Sequence, residues 1–204
     1  QDNPEIVAAL ENGIPTASRA EVLGALMKEY ENSIAIAGTH GKTTTTSMVS
    51  LILENCGKDP TILVGGNLQE INGNVKIGHS GYFVTEACEY MDSFLSLNPK
   101  IEIILNIDSD HLDYFKDIEH IANSFDRFAN LVPKDGTVIA FDANPFVSSI
   151  IDELESKVVT FGFSERCDFF ATDIEFNNSG MPSFKLNHGE EVLCTMQLAI
   201  PGEH

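Results

Sequence analysis

The chain has 204 residues, 43 % of them hydrophobic and 21 % charged, the balance of a globular protein long enough to bury the core of one large or two small domains. Thirty-one acidic residues oppose twelve basic ones, and the net charge of −19 sets a field that repels nucleic acid and anionic lipid. No apolar run nears the ~18 residues of a membrane helix, the first residues lack a signal peptide's layout, and Cys56, Cys88, Cys167 and Cys194 form no CxxC pair, which together point to a cytoplasmic protein.

Ile6, Val7 and Leu10 fall at helical spacing, Gly13-Ile14-Pro15 interrupts, and a second helix starts near Ala20 behind Ser18 as N-cap. From Ser33 the pattern turns to strand and helix in alternation. Ile34–Ala37 reads as a strand, Thr43–Asn55 as a helix stopped by Gly57, and Thr61–Val64 as a strand before Gly65-Gly66. Residues 68–80 are polar and glycine-bearing and read as a surface loop. Strands follow at Tyr82–Thr85 and Ile101–Leu105. Asp117 caps a helix with one apolar stripe (Ile118, Ile121, Ala122, Phe125, Ala129, Val132) that ends at Pro133. Val138–Phe141, Phe146–Leu154 and Val158–Phe161 read as strand, helix and strand. Short apolar strands separated by helices predict an α/β fold of P-loop type, a mostly parallel sheet with helices on both faces. Phe169–Phe176, Ser183–Asn187 and Glu191–Leu198 predict a small antiparallel β meander near the C-terminus.

Ile34–Thr46, IAIAGTHGKTTTT, carries the most information. A buried strand delivers a glycine-bearing turn that opens a helix, so several backbone N–H groups and the positive end of the helix dipole meet at one spot suited to phosphate. Gly38 and Gly41 permit close backbone approach, Lys42 can reach terminal phosphates, and the Thr43 hydroxyl can join a magnesium shell. The loop is shorter than the common G-x-x-x-x-G-K-[ST] pattern, because Ile36 stands five positions before Gly41. A nucleoside triphosphate suits it best.

In a parallel sheet, ligands sit outside the carboxyl ends of the strands. Glu86, just past the strand ending at Thr85, is placed to donate to magnesium, and His111, beyond the strand ending at Leu105, converges on the same crevice. Glu86 and Glu89 also fit a solvated acidic turn, His111 a hydrogen-bonded loop histidine, and Asp108, Asp110 and Asp113 caps and turns. Cys88 reads as a small buried side chain, and His40 as closing the phosphate loop through its backbone.

GTHGKTTTT, Gly65-Gly66-Asn67, TEACEYMDSFL (Thr85–Leu95), NIDSDHLDYF (Asn106–Phe115) and the terminal PGEH together resemble the Mur ligase family. Asn3–Leu23 resembles the end of that family's UDP-binding domain. The resemblance implies residues 1–31 as the tail of a UDP-binding N-terminal domain, residues 32–204 as a central ATP-binding domain, and the C-terminal domain as absent. It implies ATP and Mg2+ as cofactors, and an amide bond formed between UDP-N-acetylmuramate and L-alanine through an acyl phosphate, in peptidoglycan precursor synthesis. Carried over by residue, Gly38, Thr39, His40, Gly41, Lys42, Thr43 and Thr44 would bind the triphosphate, with Asn106 near the nucleotide. Lys42, Glu86 and His111 would be catalytic. Thr43 and Glu86 would hold one magnesium and His111 a second ion, with Gly66 and Asn67 near the muramoyl sugar. A ligase recycling murein tripeptide, a folylpolyglutamate synthetase, and a P-loop switch outside the ligases remain as alternatives. The helix Ile118–Asn130 has no lysine, so the carbamylated lysine of some relatives has no counterpart there. The asparagine that follows PGEH in the family lies beyond His204, and this stretch alone is expected to bind nucleotide weakly without turnover.

Overall fold

The computed structural model describes residues 3–201, so Gly202, Glu203 and His204 of the terminal motif lie outside the described residues. Strand β1 (Asn32–Ala37) sits at the centre, and its alternating side chains divide the core in two. Ile34 and Ile36 point to one face with Val84 and Ile103, where Val49 and Leu53 of helix α3 (Lys42–Asn55) cover them. Ala35 and Ala37 point to the other with Phe83 and Ile104. That face is covered by α2 (Arg19–Met27), α4 (Ile118–Ala129), α5 (Pro145–Ile151) and a 3₁₀ segment at Tyr90–Ser96. Phe94 of the 3₁₀ segment stacks on Phe128 at 4.4 Å between ring centroids, sealing the larger core.

Ten strands form one sheet in the order β10-β9-β8-β7-β6-β5-β1-β4-β2-β3. Their ranges are β2 Thr61–Leu68, β3 Gly73–Lys76, β4 Tyr82–Glu86, β5 Ile101–Ile104, β6 Thr137–Phe141, β7 Lys157–Gly162, β8 Phe169–Phe176, β9 Pro182–His188 and β10 Glu191–Gln197. Strands β2, β4, β1, β5, β6, β7 and β8 run parallel, each to its neighbour. In register, Ile36 faces Glu86 on β4 and Ile103 on β5, so the loops leaving β1, β4 and β5 emerge together at one edge.

Local signals explain the helix boundaries. Ser18 accepts from the Glu21 N–H while Glu21 reaches back to the Ser18 N–H, a complete capping box for α2. Asp117 accepts from the His120 N–H to start α4, and Asn144 caps α5, whose first residue is Pro145. Helix α1 (Pro4–Glu11) buries none of its side chains, whereas α2 sinks Leu23 and Met27 into the larger core.

Two expectations need correction. Strand β2 does not stop at Val64; it continues through Gly65-Gly66-Asn67 to Leu68, and residues 68–80 hold a 3₁₀ turn and β3, which pairs antiparallel with β2. Polar, glycine-rich sequence matches an edge ribbon as well as a loop, because an edge strand has little apolar surface to bury. The predicted meander does form from β8, β9 and β10, but β8 also pairs in parallel with β7, so the meander extends the main sheet.

Candidate functional site

Gly38 leaves β1 at φ 147 and Gly41 opens α3 at φ 84, both conformations that side chains rarely adopt. At Gly38 an added Cβ would meet Leu105 at 3.0 Å and the Asn106 backbone at 3.3 Å, so the loop lies directly on the loop leaving β5. Asn106 fastens the two. Its Oδ1 accepts from the His40 N–H at 2.8 Å, its Nδ2 donates to the His40 carbonyl at 3.0 Å, and its own carbonyl accepts from the Thr39 N–H at 3.0 Å. Thr39 Oγ1 accepts from the Asp108 N–H at 2.9 Å. His40 thus closes the loop through its backbone, as its sequence position suggested. Thr39, His40, Gly41, Lys42, Thr43 and Thr44 line a hollow of about 270 Å³ at the N-terminus of α3, where N–H groups and the helix dipole favour an anion.

The acid-bearing loops close on this hollow from the β4 side. Thr43 Oγ1 donates to Glu86 Oε2 at 3.1 Å, and the Gly65 N–H donates to Glu86 Oε1 at 2.5 Å. Gly66 lies close as well, since a Cβ there would sit 3.2 Å from Thr43 Cγ2; Asn67 follows it, exposed on β2. Lys42 Nζ donates to the carbonyls of Gly38 and Thr39 at 2.5 and 3.1 Å and pairs with Glu89 at 2.9 Å. His111, at φ 51, puts Nε2 3.8 Å from Glu89 Oε1. The predicted residues therefore gather at one sheet edge, linked as Glu86–Thr43 on one flank and Lys42–Glu89–His111 on the other.

Glu89 is the residue sequence reasoning passed over. It reads as a solvated acidic turn, yet its side chain is only 2 % exposed. The turn after it takes Met91 and Asp92 through left-handed φ values of 54 and 55, which Asp tolerates but Met does not signal in advance. Tyr90 packs on His111 at 4.9 Å between ring centroids and donates its hydroxyl to Asp113 at 2.8 Å, a contact that raises the Tyr90 pKa. Asp113 is thus more than a turn residue. Cys88, expected to be buried, is exposed.

The donors suit magnesium at one position. Thr43 Oγ1 and Glu86 Oε2 are hard oxygens at the mouth of the hollow, the donor type that magnesium prefers. Among the described residues, no three His, Cys, Asp or Glu side chains converge as a self-sufficient metal cluster. No described helix is long and apolar enough to cross a membrane.

A family model for the Mur ligase middle domain matches residues 36–204. The chain belongs to the Mur ligase family. A UDP-N-acetylmuramate–L-alanine ligase from Alkaliphilus metalliredigens is 54 % identical over 203 residues, covering all of this chain and 44 % of that relative. This Mur ligase chain therefore spans less than half the length of the curated relatives it matches. Among solved structures, the UDP-N-acetylmuramate:L-alanyl-gamma-D-glutamyl-meso-diaminopimelate ligase from Neisseria meningitides superposes with a TM-score of 0.84 at 26 % identity, over 97 % of this chain and 64 % of that one. MurC, the UDP-N-acetylmuramate–alanine ligase from Thermotoga maritima, gives 0.80 at 27 % identity, over 98 % and 45 %.

Proposed function

We propose that the full-length protein is an ATP-dependent cytoplasmic ligase that joins the carboxyl group of UDP-N-acetylmuramate to the amine of L-alanine, in peptidoglycan precursor synthesis. The observation that carries this is the convergence of Lys42 and Thr43 with Glu86 at the mouth of the hollow of about 270 Å³. The 54 % identity to an L-alanine ligase supports the choice of amino acid. Residues 1–31 are then the end of a UDP-binding domain and residues 32–204 the central ATP-binding domain.

In this reading Gly38 to Thr44 present backbone N–H groups to the triphosphate, and Asn106 keeps that loop in shape from beneath. Lys42 stabilises negative charge on the phosphoryl group as it passes to the muramoyl carboxylate, giving an acyl phosphate and ADP. The alanine amine attacks the acyl carbon, phosphate leaves from the tetrahedral intermediate, and the amine proton is released. Thr43 and Glu86 would hold one magnesium ion, and His111 would donate to a second. Such ions, when bound, neutralise phosphate charge, which a chain of net charge −19 needs in order to hold two anionic substrates together. Gly66 and Asn67 face the muramoyl sugar.

The test uses the full-length protein with ATP, magnesium and UDP-N-acetylmuramate. Phosphate release that requires L-alanine is expected; equal release without any amino acid would identify a simple NTPase. Lys42→Ala should abolish turnover and lower the melting temperature while unfolding stays cooperative, because the buried Glu89 carboxylate loses its counter-charge. Superposition on the tripeptide-adding enzyme keeps a second reading in play, a recycling ligase of the same fold. Preference for the murein tripeptide over L-alanine in the same assay would favour it.

A further inference from the structure

We propose that Glu89 is a positioning residue for Lys42, its buried carboxylate fixing the ammonium group at the place where it meets the nucleotide's terminal phosphates. An ammonium group has three protons to donate. Here two reach the Gly38 carbonyl at 2.5 Å and the Thr39 carbonyl at 3.1 Å, neutral acceptors that a phosphate oxygen would displace, and the third reaches Glu89, whose two oxygens lie 2.9 and 3.1 Å away. The two carbonyls belong to the phosphate loop and move with it. Among the described residues, Glu89 alone ties Lys42 to a different strand end.

The carboxylate stands where a charge is costly. It is 2 % exposed, and among the described residues Glu89 Oε2 has no hydrogen-bond donor besides its ion pair with Lys42. The backbone is also bent to bring it there, with the non-glycine residues Met91 and Asp92 both left-handed. That turn is pinned from the far side. Asp92 accepts from the Tyr114 hydroxyl at 3.0 Å and from the Ser124 hydroxyl of α4, and pairs with Arg127 at 3.5 Å. Unusual backbone conformations held this firmly cluster where a site must be preorganised. Fixing the lysine in advance lowers the reorganisation needed when charge develops on the phosphoryl group.

The role of Glu89 in turnover rests on the ligase reading above, so the experiment includes a measurement independent of it. In the full-length protein, acetylation of Lys42 by limiting acetic anhydride is followed by peptide mass spectrometry in the parent, Glu89→Gln and Glu89→Asp. Lys100, paired with Asp135, is the internal standard for loss of fold. Freed from its anchor, Lys42 should react at least threefold faster in Glu89→Gln, while Lys100 reacts at the parental rate. Steady-state assays should show kcat reduced at least tenfold and KM for ATP changed less than threefold. Glu89→Asp keeps the counter-charge and so protects the fold, but its carboxylate is one methylene short; its kcat should fall at least fivefold. Parental labelling of Lys42 in Glu89→Gln would overturn the proposal, as would faster labelling with parental kcat, or a parental kcat in Glu89→Asp. If the parent shows no alanine-dependent turnover, the ligase reading fails, and the labelling ratio alone decides whether Glu89 holds Lys42.

Discussion

Replacing Gly65 with alanine should displace Glu86 while leaving β2 in place. A Cβ built at Gly65 lies 2.8 Å from Glu86 Oε2, 3.0 Å from Oε1 and 3.1 Å from Cδ, all inside normal contact. The obstructed atoms are the free end of a flexible side chain, so the carboxylate swings away and the strand need not break. Glu86 then loses its hydrogen bonds from Thr43 Oγ1 and the Gly65 N–H. Alanine restricts the unfolded chain more than glycine, which offsets part of that loss, and the net stability change should stay within about 1 kcal/mol. The functional change should be far larger, because a group misplaced by about 1 Å in a reacting assembly costs on the order of 100-fold in rate. The assay is alanine-dependent phosphate release by the full-length protein across a magnesium titration, with Gly73→Ala as control, since a Cβ at Gly73 meets nothing within 4 Å. Gly65→Ala should lose about two orders of magnitude in kcat, need more magnesium, and melt near the parental temperature. Parental kcat and parental magnesium dependence in Gly65→Ala would refute the placement of Glu86 beside a metal-bound phosphate.

Three further predictions concern stability. Glu102 is fully buried on β5 between Ala35 and Val138, neither carboxyl oxygen has a hydrogen-bond partner among the described residues, and burial raises its pKa well above the ordinary value. The unfolded chain releases that proton first, so stability should fall by about 1.4 kcal/mol per pH unit from the ordinary carboxyl value near 4.3 up to the raised one. Glu102→Leu should flatten this slope in thermal melts between pH 5 and 8 and raise the melting temperature at the alkaline end; parallel pH curves for parent and variant would contradict it. Gly24→Ala should destabilise by about 3 kcal/mol in denaturant titration, because its Cβ would overlap the Ser96 carbonyl oxygen and force α2 off the 3₁₀ segment. Ser18→Ala removes the acceptor that caps α2 and should cost about 1 kcal/mol by the same measurement, with no change in kcat.

The loop that opens α3 was legible because its residues are contiguous. Strand, glycine turn, lysine and threonine stand side by side between Ile34 and Thr46, and the same residues line the hollow. Glu86 and His111 could be assigned to that edge because parallel strands put their carboxyl ends together, whatever the details of pairing. Glu89 was not legible. Its burial depends on a left-handed turn at two non-glycine residues and on Ser124, Arg127 and Tyr114, which lie 22 to 35 positions further along the chain from Asp92. The edge ribbon at β3 was missed for a related reason: only its pairing with β2 distinguishes it from a loop.

The sequence by itself determined the α/β class, the helix caps at Ser18 and Asp117, and the glycine-bearing loop that opens α3, since each depends on side chains within a few residues of one another. Tertiary structure decided which acid is buried against the lysine, which stays half-buried at the Thr43 hydroxyl, and that the last three strands continue the main sheet. Those outcomes depend on free energies of burial and pairing between segments far apart in the chain, and no local pattern encodes which of two neighbouring carboxylates will be driven inward.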